Sequence, residues 1–133
     1  MKAGVIWKQG MDFNGFNDKN DAENFITVPG PSPKHLFLQS IAGCTAMDVI
    51  FILEKMKVEM PSKFTVSVDA DVTETHPKVF TNFLMIYHVE GNIDPEKIKR
   101  AVKLSQDTYC GVSTMARKIA PFDVKIELNG SEI

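Results

Sequence analysis

Ser32-Pro33-Lys34-His35-Leu36-Phe37-Leu38-Gln39-Ser40-Ile41-Ala42-Gly43-Cys44-Thr45-Ala46-Met47-Asp48-Val49-Ile50-Phe51-Ile52-Leu53-Glu54-Lys55-Met56-Lys57 is the stretch around which the chain is organised. The Ser32 side chain can cap a helix start, and Pro33 suits the first helical position, where its missing N–H costs nothing. Lys55 and Lys57 place cations in the last turn, as the helix dipole favours. Apolar residues between these ends cover every face, which predicts a helix buried all round, about 37 Å long at 1.5 Å per residue. Leu36 to Leu53 approaches the length of a membrane span, but Gln39, Ser40, Thr45 and Asp48 interrupt it. No second span or signal-peptide pattern accompanies it, so the expectation is a core helix.

Upstream, Ala3, Val5 and Trp7 alternate with Gly4, Ile6 and Lys8, and Gln9-Gly10 turns the chain into Met11–Phe16. This predicts an N-terminal hairpin. A polar loop over 17–21 and a third short strand over 23–28 follow, with a flap over 14–24 as the alternative. Pro29-Gly30-Pro31 then breaks regular structure before the helix.

Downstream, Phe64, Val66, Val68, Ala70 and Val72 alternate with polar residues as a half-buried strand, and 79–89 forms its partner. The partner carries apolar bulk on both faces, which predicts double coverage and, in so short a chain, a subunit interface. Asp94-Pro95-Glu96 opens an amphipathic helix reaching Cys110-Gly111. A kinked continuation over 112–118 and a last strand over 122–129 complete an α+β order in a single domain, 1–133.

A chain of 133 residues with net charge −2 and scattered cations lacks the basic stripe of a nucleic-acid or anionic-membrane binder. Two cysteines in such a chain suggest a cytoplasmic protein with reduced or redox-active thiols rather than a disulfide scaffold. His35, His76 and His88 are widely separated, so no metal site is expected, and no glycine-rich phosphate loop or cofactor motif occurs.

Chemistry therefore rests on Cys44 and Cys110, 66 positions apart. If their helices pack together, the pair could act as nucleophile and resolving partner. Spacing alone favours two unrelated core cysteines, since free cysteine is among the most buried residue types. Cys44 lies about three turns from its own helix start, so an activating group would have to come from another element. Asp48, one turn further on, would raise the thiol pKa, and is better read as accepting a hydrogen bond from a neighbouring backbone or hydroxyl group.

Ser32-Pro33-x-x-Leu36 followed by Ile41-Ala42-Gly43-Cys44-Thr45-Ala46-Met47-Asp48-Val49 resembles the central-helix motif of the OsmC/Ohr superfamily. His76-Pro77-Lys78-Val79-Phe80-Thr81 and Ser105-Gln106-Asp107-x-Tyr109-Cys110-x-Val112-Ser113 resemble its later segments. The Gly-Cys-Thr-x-Met-Asp run points to the YhfA-like branch. The resemblance implies an OsmC-like fold, with antiparallel sheets around two long central helices, built as an intertwined homodimer. It also implies a thiol-dependent peroxidase acting on organic hydroperoxides in oxidative-stress defence. Cys44 would be the peroxidatic residue, Cys110 the resolving one, and a dihydrolipoyl or thioredoxin-like dithiol the reductant. Family peroxidases hold the thiolate with an arginine from the N-terminal strands, itself held by a glutamate near the start of the central helix. Here no arginine precedes Arg100, and Lys34 and His35 occupy the region of the glutamate. These two are the candidate substitutes for supporting the thiolate across the dimer. The departure motivates an alternative: a non-catalytic protein of the same fold that binds a small apolar ligand at the dimer interface.

Overall fold

A computed structural model describes residues 1–19 and 30–133, together with the backbone of Phe25–Ile26. The chain divides into two compact units, Met1–Phe37 and Leu38–Ile133.

In the first unit, β1 (Ala3–Gln9) and β2 (Asp12–Asn17) form the expected hairpin, Ala3 opposite Asn17 and Trp7 opposite Phe13. Gly10 takes the turn at φ +50°, a conformation that favours glycine. A third strand, β3 (Phe25–Ile26), pairs with β2. Of the expected strand over 23–28 and the flap and loop before it, residues 20–24 and 27–29 lie outside the described residues.

The long helix α1 spans Pro33–Lys55. The Ser32 carbonyl accepts from the Leu36 N–H at 3.1 Å, and its Oγ from the His35 N–H at 3.4 Å, so the expected cap is present. By length and composition α1 could cross a membrane. In this chain it buries one stripe, Ile41, Thr45, Val49, Ile52 and Leu53. The opposite side stays open, with Met47 76% and Phe51 58% exposed. The expectation of a helix buried all round is thus corrected for the single chain. One layer of packing covers a stripe spaced three and four residues apart and no more.

The second unit carries a sheet ordered β4 (Lys63–Asp69), β5 (Phe83–Glu90), β6 (Phe122–Leu128), β7 (Ser131–Glu132). β4 and β5 are antiparallel, with Val66 opposite Tyr87, whereas β5 and β6 run parallel, Tyr87 opposite Ile126. The sheet is therefore mixed rather than purely antiparallel. A parallel pair needs a long crossover, and here the helical segment between β5 and β6 supplies it. Phe83, Met85, Tyr87 and Val89 on one face of β5 are buried, while Leu84, Ile86 and His88 on the other are half-buried.

That crossover positions the site. Asp94 caps α2 (Pro95–Leu104), its Oδ1 accepting from the Glu96 N–H at 2.9 Å. The helix then widens into one π turn, Ser105–Tyr109, closed by the Cys110 N–H donating to the Ser105 carbonyl at 2.7 Å. Cys110, extended at φ −78° and ψ 93°, caps α3 (Gly111–Arg117).

Candidate active site

The fold brings the two cysteines together. The Sγ atoms of Cys44 and Cys110 and a carboxylate oxygen of Asp48 all lie within 4.8 Å of one another. Cys44 and Asp48 project from consecutive turns of α1, while Cys110 enters from the junction of the π turn and α3. Both thiols are free; Cys110 is buried and Cys44 half-buried. Cys110 is fixed from its own helix start: its thiol donates to Ser113 Oγ at 3.0 Å and accepts from the Ser113 N–H at 3.3 Å.

Burial, and then a hydrogen bond to Cys110, push the Cys44 thiol pKa above its ordinary value. Because the Cys110 proton is directed to Ser113, the Cys44 S–H is the donor toward Cys110, which stabilises its protonated form. The Val112 backbone N–H acts in the opposite direction, and the charges of Cys110 and Asp48 add to the rise. The one contribution that lowers the Cys44 pKa thus comes from the first turn of α3, and it is outweighed. No spacing in the sequence reveals that contact.

Behind the thiols lies a buried polar network. Ser105 Oγ donates to Asp48 Oδ2 at 2.9 Å, as expected of a hydroxyl beside this carboxylate. A hydroxyl has one proton, so Ser105 must accept from Thr45 Oγ1 at 2.8 Å, and Thr45 from Tyr87 OH at 2.5 Å. The carboxylate therefore orders three hydroxyls in one direction, Tyr87 to Thr45 to Ser105 to Asp48. Gln106 Nε2 donates into this chain, to Tyr87 OH at 2.8 Å and Thr45 Oγ1 at 3.1 Å. Its amide orientation is set by Arg117, which donates to Gln106 Oε1 and, at 3.2 Å, to the Gln106 carbonyl. The Arg117 guanidinium also lies 4.8 Å from the centre of the Phe122 ring. Burial pushes the Tyr87 pKa up to about 12, so its hydroxyl remains a donor at neutral pH.

The sequence singles out Cys44, Cys110 and Asp48, which the fold brings together, but not Gln106 and Arg117. The readable signal was Thr45, a polar residue in the buried stripe between Ile41 and Val49. Lys34 and His35 belong to the first unit, ten and nine residues before Cys44 in α1. His35 Nδ1 accepts from the Ser32 N–H at 3.2 Å and lies 2.8 Å from Ser32 Oγ.

Beside Asp48 opens a cleft of about 510 Å³, walled by Phe51, Ile52, Met56, Leu104 and Tyr109, with the cations Lys55 and Arg100 among its lining residues.

A protein family described as OsmC-like protein matches residues 23–125. The chain belongs to the OsmC-like family. Protein YhfA of Escherichia coli K12 is 30% identical over 125 residues, covering 89% of this chain and 90% of that protein. Among solved structures, a hypothetical protein from Aquifex aeolicus VF5 superposes with a TM-score of 0.86 at 24% identity, covering 96% of this chain and 95% of the other. The organic hydroperoxide resistance protein OhrB of Bacillus subtilis gives a TM-score of 0.66 at 14% identity, covering 96% and 98%. At such identities these likenesses show a shared OsmC-like fold.

Proposed function

We propose that this OsmC-like protein is a thiol peroxidase for organic hydroperoxides. The observation that carries the reading is the approach of the Cys44 and Cys110 sulfurs to within 4.8 Å from two separate elements. The Cys44 thiolate attacks the distal peroxide oxygen, the O–O bond breaks, and the alcohol leaves with a proton, giving Cys44 sulfenic acid. The Cys110 sulfur then displaces water to form a disulfide, and an external dithiol, dihydrolipoyl or thioredoxin-like, returns the pair to thiols. A cytoplasmic location suits such cycling. We assign the working unit as a homodimer, since Ala46, Met47, Ile50 and Phe51 form an open apolar strip along α1. Lys34 or His35 of the second copy is the cation proposed to assist Cys44.

The test is intact-mass analysis and thiol counting on reduced protein briefly exposed to cumene hydroperoxide. Loss of both thiols with a two-hydrogen mass decrease, abolished in Cys44→Ser, is the expected result. Two surviving thiols would overturn the reading. They would leave the alternative, a non-catalytic protein holding a small apolar ligand at the dimer interface, which the cleft walled by Phe51, Ile52, Met56, Leu104 and Tyr109 favours.

A further inference from the structure

Sequence spacing gives no metal motif, yet folding gathers two thiols and a carboxylate at one point. We infer that reduced Cys44, Cys110 and Asp48 form a binding site for a thiophilic divalent cation, zinc above all, with a fourth position open to water. A cation placed centrally among three donors no more than 4.8 Å apart lies about 2.8 Å or less from each. Zinc takes sulfur at about 2.3 Å and carboxylate oxygen at about 2.1 Å. Each sulfur therefore closes by about half an ångström and the carboxylate oxygen by about 0.7 Å at most, side-chain adjustments that leave the helices in place.

The surroundings match those of a metal site. Ligating groups are usually held by outer partners that orient them. Here Ser105 Oγ holds Asp48 Oδ2, and the Ser113 N–H holds the Cys110 sulfur. The Val112 N–H serves Cys44 in the same way. The clustering of Asp48 and Cys110 about Cys44 disfavours a second and third negative charge. A divalent cation reverses that balance and draws out both thiol protons, which pass to solvent with no change in oxidation state. Soft thiolates select zinc over magnesium or calcium, whose sites are built from oxygen. Metal binding and disulfide formation use the same sulfurs, so each excludes the other. The metal site does not depend on peroxide turnover.

The test is titration of the reduced full-length chain with Co²⁺ under anaerobic conditions, then Zn²⁺ competition against a chromophoric chelator. One Co²⁺ per chain is expected, with near-ultraviolet thiolate-to-cobalt absorption of two-thiolate intensity. Cys44→Ser and Cys110→Ser each halve that absorption, and the disulfide form shows none. Asp48→Asn keeps both thiolates and can still accept from Ser105, so its absorption stays while zinc affinity falls roughly tenfold or more. Circular dichroism and thiol counting confirm that each variant is folded. Absence of the thiolate band with both thiols free would overturn the inference, as would an Asp48→Asn chain binding zinc as tightly as the parent.

Discussion

The directed hydroxyl chain makes Thr45→Val a sharp test of how the core is held. Valine matches threonine in size, so the change opens no cavity and removes one hydroxyl. Tyr87 OH then loses its acceptor and keeps only the donation from Gln106, leaving a buried O–H unpaired. An orphaned buried donor costs about 1–3 kcal/mol, and the lost Thr45-to-Ser105 bond about 1 kcal/mol more. The expected loss, about 2–4 kcal/mol, is large for a domain stable by about 5–15 kcal/mol. Tyr87→Phe removes the group that Thr45→Val would orphan, so the double variant should be more stable than the sum of single effects predicts, by about 1–2 kcal/mol. Urea denaturation of all four proteins measures this coupling. Additivity to within about 0.5 kcal/mol would refute the hydrogen bond between Tyr87 and Thr45 on which the chain rests.

Burial and the Cys110 thiol hold the Cys44 pKa above 9.0, so the rate of alkylation by iodoacetamide should still be rising beyond that pH. Cys110→Ala removes contributions that raise it, and the midpoint of the rate–pH profile should move down. Tyr87 keeps its proton up to about pH 12 when folded, against 10.0 as its ordinary value. The folded chain therefore holds a proton that the unfolded chain releases between these limits. Stability fully present below pH 10 should fall by about 2–3 kcal/mol through that window, a loss that Tyr87→Phe abolishes in alkaline denaturation. Met47→Glu combined with Phe51→Glu places charge on the open strip of α1 and should shift the protein from dimer to monomer in light scattering, while the urea midpoint of the monomer stays near that of the parent subunit.

Much of the architecture was legible because it obeys local rules. The alternation of Phe122, Val124, Ile126 and Leu128 reproduces β6 to within one residue, Asn129 turning out of the strand, and Asp94-Pro95 marks the start of α2. The period of α1 is harder to read. An all-round apolar helix states how much surface seeks cover, not which neighbour supplies it, and Met47 and Phe51 stay open in one chain. The site was half legible. Cys44 and Asp48 share a face by helical spacing, but the approach of Cys110 depends on the path of α2, which no local pattern encodes. Gln106 and Arg117 escaped for a related reason. A polar residue next to a helix end looks solvent-facing, and only the folded backbone turns Gln106 inward and brings the exposed Arg117 back onto it.

The turn that does this is wider than its neighbours. A π turn holds one residue more than an α-helix needs for the same rise. If Ser105–Tyr109 closed as regular α-helix without losing a residue, everything beyond would rotate by about 100° about its axis, one residue's share of an α-helical turn. The second sulfur would then swing away from the first without any change to either cysteine. The single surplus residue thus acts as a phase shifter. It fixes the angular setting of two otherwise ordinary helices, and the distance between the thiols is the quantity it tunes.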